Sequence, residues 1–206
     1  MVELFLMKDE HKSQVFNLLI GSFFLQEPLN ERLAFNLPHE PLESTEFLLK
    51  IAVADQCSYV ALDTATSNVV GAIINNIENR HDNDDTMDFK SENLRYIYEL
   101  IKNIHQNINL FDILNVERLL HIGIVNVDET YRGHKLSQRL ITASLERAKQ
   151  LGIHGAYTEA TSTYSCKSFI KNDFKTYKEL IYATYDKERL SNLGEHDRCT
   201  LLAKIF

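Results

Sequence analysis

A mixed α/β fold, with strands and helices alternating around one sheet, is what the sequence predicts, and three observations carry it. Residues 119–127, LLHIGIVNV, are an almost continuous apolar run, the pattern of a central strand covered on both faces. The turn DETYRG follows, and then residues 135–151, where Leu136, Leu140, Ile141, Ala148 and Leu151 recur on one helical face and Gly152 stands ready to end it. Residues 59–63 (YVALD) and 69–77 (VVGAIINNI) flank the turn-like TATSN and read as an antiparallel hairpin.

In chain order, residues 3–7 (ELFLM) predict a first strand. Val15, Leu18, Leu19 and Phe23 carry helical spacing through residues 9–24, with Glu27-Pro28 as the stop. Residues 42–54 predict a second helix, opened by the polar stretch 43–45. After the hairpin, residues 79–93 are polar and acidic and read as a loop. An EF-hand is rejected there, because the glycine at loop position six and the glutamate at twelve are missing. Helices are expected over 94–104 and 109–114, then the central strand, turn and long helix. A strand at 155–160, a helix at 164–171, and strands at 174–185 and 198–206 complete the set. The central strand-turn-helix-strand reads as a right-handed parallel crossover.

At 206 residues the chain fits one domain, residues 1–206, large enough to bury a core without metal or disulfide. Cys57, Cys166 and Cys199 lack paired spacing, so neither a disulfide framework nor a zinc site is expected. A formal charge of −7 speaks against broad nucleic-acid binding and would suit a cationic ligand. No apolar run reaches membrane-span length and the first residues lack a secretory pattern. The expected setting is cytoplasmic, without membrane or nucleic-acid partners, as a monomer or weak dimer.

The turn at 131–137 carries the chemistry. Free amides and the positive dipole end of a helix start can cradle a pyrophosphate, and Arg132 and Lys135 add charge at the same place. An ordinary capped strand-to-helix connection with a solvated basic turn is the alternative. His121, inside the apolar strand, reads as a satisfied structural histidine, and Cys166 as a thiol without an activating partner.

YRGHKLSQRL resembles the acetyl-CoA-binding motif of the GCN5-related N-acetyltransferase (GNAT) superfamily. Arg132 and Gly133 match its Arg-Gly opening, while Lys135 and Ser137 stand where small residues are usual. The resemblance implies a mostly antiparallel mixed sheet of about seven strands, with helices on both faces and central parallel strands that splay apart. It implies acetyl-CoA as cosubstrate, held by Arg132, Gly133, His134, Lys135, Leu136 and Ser137. Pantetheine would pair with the main chain of Val125, Asn126 and Val127, and an amide near Val125 would polarise the thioester carbonyl. No metal is implied.

FFLQEPLN (residues 23–30) and EATSTYSCKSFIKNDF (residues 159–174) are similar to the insect-type arylalkylamine N-acetyltransferases. That resemblance implies a small-molecule amine such as dopamine, serotonin, tyramine or tryptamine as acceptor. Glu27 would be the general base in a direct ternary-complex transfer, Ser165 would protonate the departing thiolate, and Thr161 would hold a water or the base. Lysine, polyamine or another small amine is the alternative acceptor, and a catalytically inactive acyl-CoA-binding module the alternative class. A surface glutamate before a helix break, and hydroxyl residues capping a helix, are the structural alternatives for the three candidates. The tyrosine that many relatives use as acid falls on Phe169, which has no proton to give.

Overall fold

Alternating strands and helices do close into one sheet. The structure, a computed structural model, describes residues 1–82 and 89–206. Part of the acidic 79–93 segment, and with it the EF-hand alternative, lies outside the described residues.

Strands β1 (Val2–Leu6), β2 (Tyr59–Asp63), β3 (Asn68–Asn79), β4 (Arg118–Val127), β5 (Gly155–Ala160), β6 (Lys175–Ile181) and β7 (Arg198–Ile205) run in the order β1-β2-β3-β4-β5-β7-β6. Every neighbouring pair is antiparallel except β4 and β5. Helices α1 (Lys12–Leu18), α2 (Phe24–Gln26), α3 (Pro28–Arg32), α4 (Leu42–Ala54), α5 (Glu92–Ile104), α6 (Leu110–Leu114), α7 (Leu136–Gln150), α8 (Thr163–Ile170), α9 (Tyr182–Tyr185) and α10 (Lys187–Leu190) complete the order. Among the described residues no helix is long and apolar enough to cross a membrane.

Strand periodicity explains how the sheet is covered. Leu120, Ile122, Ala156 and Leu202 face α7 and pack on Leu136, Leu140, Ile141 and Ala148. Tyr157, Leu119 and Leu201 face the other way, onto Leu100 and Ile104 of α5 and Leu110 and Leu114 of α6. Ala72, Ile74 and Ile124 pack there too, on Val15 of α1 and Leu49 of α4. Each fully buried Leu or Ile removes enough apolar surface to contribute about 2 kcal/mol.

Four expectations are corrected. The helix over 9–24 is interrupted: a π-turn at Leu19–Phe23 separates α1 from α2. The wider turn lets the Ser22 hydroxyl reach Asn126 Oδ1 of β4 at 3.2 Å, while Asn126 Nδ2 donates to Leu18 O at 3.4 Å. Glu27-Pro28 breaks the helix for one residue only: Glu27 is extended (ψ 127°), and Pro28 starts α3, where its preset φ suits the first helical position. The strand expected through residue 185 ends at Ile181. Asp186 then caps a helical turn by accepting from the amides of Glu188 and Arg189 at 3.1 and 3.0 Å. The helix expected from residue 135 starts at Leu136, with Lys135 as its N-cap in the left-handed region (φ 57°).

Candidate active site

β4 and β5 share only two backbone rungs, Leu120↔Ala156 and His121↔Tyr157, and beyond them the strands part. β4 also carries a bulge, since Asn75 pairs with Ile122 and Ile74 with Ile124, leaving Gly123 as the extra residue. The bulge explains why Ile122 faces α7 whereas Ile124 faces α1. A cleft of about 880 Å³ fills the fork, floored by residues 121–127 and reaching the turn at Arg132 and Gly133.

At one end lies the anion turn. Gly133 has φ 82°, a conformation that favours glycine, and Lys135 follows at φ 57°, so the chain doubles back just before α7. No side chain caps α7, which leaves its first amides free for a ligand. Arg132 Nε donates to Val127 O at 3.2 Å, and its other end bonds the Gln26 side chain. Arg132, Gly133, Lys135, Leu136 and Ser137 all line the cleft. His134 does not: its Nδ1 turns back to Arg132 O at 3.0 Å. Val125, Asn126 and Val127 line the floor, with the Asn126 amide tied to α1 and the π-turn.

At the other end are Glu27, Thr161 and Ser165. Glu27 is only 9% exposed, and its Oε2 accepts from the Asn30 amide at 2.7 Å. Oε1 is buried and makes no hydrogen bond among the described residues. Burial raises the Glu27 pKa, while the Asn30 amide and the neighbouring Thr161 hydroxyl pull it back down. Thr161 precedes α8, so helical spacing is not what brings it and Ser165 to one side; the turn at Ser162 is. Ser162 is the N-cap, accepting from the Ser165 amide at 3.2 Å. Behind Thr161 the fully buried Tyr182 donates its hydroxyl to Thr161 O at 2.8 Å. Phe169 packs edge-on to Phe174 at 5.1 Å, in keeping with a structural aromatic.

Sequence reading missed a cluster on the cleft wall. His121 Nε2 lies 2.8 Å from Glu159 Oε2, and His105 Nε2 holds Oε1 of the same carboxylate. Tyr157 stacks on His121 at 4.6 Å and donates to Glu78 Oε2 at 2.6 Å. Burial works against the His121 charge, but the Glu159 and Glu78 carboxylates outweigh it and raise its pKa to about 9. Those same histidines outweigh burial at Glu159 and hold its carboxyl well below the usual range. The two-residue alternation of β5 puts Tyr157 and Glu159 on one face, but nothing local in the sequence aligned that face with His121.

The model of the acetyltransferase (GNAT) family matches residues 29–174. The chain belongs to that family. Among solved structures, this GNAT protein is similar to arylalkylamine N-acetyltransferase 2 from Aedes aegypti, at 23% identity and a TM-score of 0.88, over 99% of this chain and 98% of that one. It is similar to a mosquito arylalkylamine N-acetyltransferase-like protein 5b, at 22% identity and a TM-score of 0.84 over 100% of both chains. It is similar as well to a Drosophila melanogaster polyamine N-acetyltransferase, described as catalysing the formation of N-acetylagmatine, at 19% identity and a TM-score of 0.84 over 100% of both chains. At these identities the likeness establishes the shared fold. As a GNAT enzyme the chain is an N-acetyltransferase with acetyl-CoA as cosubstrate, and the uncapped start of α7 with its two basic side chains fits a pyrophosphate. Glu27 lies outside the matched segment.

Proposed function

We propose that this N-acetyltransferase acetylates the primary amine of an arylalkylamine by direct transfer. The observation that carries the reading is Glu27: a buried carboxylate on the cleft, with one oxygen unpartnered and a raised pKa beside Thr161. A base with a pKa moved toward neutrality suits removal of a proton from an ammonium. Phe24, Leu29, Leu94, Ile97 and Ile101 line the same end and offer an apolar wall for an aromatic ring.

Acetyl-CoA enters the fork with its pyrophosphate on the turn at 132–137 and its pantetheine along 125–127. Glu27 takes the ammonium proton, and the freed lone pair attacks the thioester carbonyl. An amide near Val125 steadies the oxyanion. Collapse breaks the C–S bond, and Ser165 relays the proton shed by the acylated nitrogen to the departing thiolate. Cys166 is no acyl carrier in this scheme, since burial raises its pKa and keeps it a thiol. The protein acts as one domain, residues 1–206, monomeric or weakly dimeric. Its three free cysteines suit a cytoplasmic setting.

Polyamines, lysine side chains and agmatine-like amines are the competing acceptors, a class suggested by the likeness to the polyamine N-acetyltransferase. Free-thiol release with tryptamine, tyramine, spermidine and a lysine peptide separates them, with the aromatic amines expected to lead. Glu27→Gln should lower kcat about 100-fold or more with CoA affinity unchanged. Wild-type turnover in that variant would remove Glu27 as base. CoA binding without thiol release on any amine would make the chain an inactive acyl-CoA-binding module.

A further inference from the structure

The backbone ladder between β4 and β5 ends at His121↔Tyr157, yet the strands stay tied beyond it by side chains. On the α5 face Glu159 meets His121 at 2.8 Å; from the adjacent position the Thr158 hydroxyl donates to Ile122 O at 2.8 Å. Counting on from the last rung, Glu159 stands opposite Gly123. That residue has no side chain, and the carboxylate reaches back across the opening to His121.

Both charges are fully committed. The Glu159 side chain is 7% exposed, with one oxygen held by His105 and the other by His121. His121 faces acceptors at both ring nitrogens: Glu159 at Nε2, and Asn76 Oδ1 at Nδ1, 3.0 Å away. Asn76 Nδ2 donates to Glu78 Oε1 at 3.3 Å, which turns its Oδ1 toward the ring. A ring between two acceptors is an imidazolium, so it has no lone pair with which to act as a base, and Glu159 has no free oxygen for an incoming ammonium. Both residues nevertheless line the cleft at the apex of the fork.

We propose that the Glu159–His121 pair is a positioning brace that sets the opening between β4 and β5, and with it the depth at which the acyl thioester sits relative to the attacking amine. The proposal rests on the reading above that acyl-CoA enters this fork. A buried ion pair suits the task because attraction in a low-dielectric setting resists lengthening, whereas apolar packing tolerates sliding. An error of about 1 Å in placing reacting groups can cost about 100-fold in rate.

The test uses Glu159→Gln, Glu159→Asp, His121→Gln and the Gln/Gln double variant. Glu159→Asp keeps the charge but shortens the brace, and serves if the neutral variants fold poorly. CoA affinity, kcat, KM for acetyl-CoA and thiol release without amine are measured on folded protein, with unfolding midpoints alongside. We expect CoA affinity within about threefold of wild type, kcat lowered about 10- to 100-fold, and a larger share of acetyl-CoA lost to water. The double variant should be no worse than the worse single one, since both remove one interaction. Folded variants that bind CoA and keep wild-type kcat and hydrolysis would overturn the brace alone. Absence of turnover in the wild type would overturn the functional reading and this inference with it.

Discussion

At the residue scale the decisive balance is at Glu27, where burial and hydrogen bonding oppose each other. The same Oε2 that accepts from Asn30 also caps α3, so the structural and the catalytic readings describe one side chain. They separate by pH. Because burial raises the pKa, a base at this position gives a kcat/KM that rises with pH through a limb above the ordinary 4.5. Thr161 lowers that pKa, so Thr161→Val should move the limb further up, as an initial-rate pH profile would show. A limb that stays in place would separate Thr161 from Glu27. The stability sign is opposite to that of a salt-bridged acid: ionising a group whose folded pKa is raised weakens the fold as pH climbs from 4.5 through the raised value. Glu27→Gln, whose amide oxygen can still accept from Asn30, should therefore unfold at an equal or higher urea midpoint at pH 7 even as turnover falls. A lower midpoint would mean the carboxylate is there for the cap.

At the element scale the turn into α7 departs from the usual small residues at Lys135 and Ser137, and the structure shows how the chain accommodates a lysine. Lys135 takes a left-handed conformation, which costs a non-glycine residue about 1 kcal/mol. Glycine would relieve that cost but add about 0.5–1 kcal/mol of unfolded-chain entropy, so Lys135→Gly should leave stability nearly unchanged. Affinity is the informative readout. If the ammonium contributes to pyrophosphate binding, Lys135→Gly and Lys135→Ala weaken CoA alike, by about three- to fivefold, and both flatten the salt dependence of binding. If the Cβ is what matters, the glycine variant binds tighter than the alanine one in a calorimetric titration. Elements with local signals were legible in the sequence: the hairpin, the apolar β4 and the amphipathic α7 stand within a residue or two of their expected places. The π-turn at Leu19–Phe23, the Gly123 bulge and the break at Ile181 were not. Their causes are contacts distant in sequence, Ser22 to Asn126 and Tyr182 to Thr161, and a register slip between β3 and β4. The site was legible to the same degree. The turn at 132–137 and Glu27 stand in contiguous motifs, whereas the Glu159–His121 pair exists only once two strands are aligned.

For the whole molecule the fork is a seam, because two backbone rungs are all that the ladder offers between the β1–β4 half of the sheet and the β5–β7 half. Side chains and helices must supply the rest, and the ionised cluster at the apex couples the seam to pH. His121, facing Glu159 from β5, Glu78 from β3, Tyr157 beneath its ring and His105 beyond the carboxylate, has its pKa raised from 6.5 to about 9. A histidine with a raised folded pKa contributes stability that is fully present below 6.5 and is lost as pH rises through about 9. Glu159, held below its ordinary 4.5, contributes stability present above 4.5 and lost as pH falls below it. The pair therefore holds the two halves best between 4.5 and 6.5. Glu27 imposes a decline of its own as pH rises above 4.5, so the difference between wild type and a variant is what isolates the pair. The urea midpoint of wild type minus that of His121→Gln should be largest near pH 6 and shrink steadily between pH 6.5 and 9. A difference constant across that range would mean that the His121 charge contributes nothing to holding the halves together. The glutamine would then show its ring to be a packed aromatic on Tyr157.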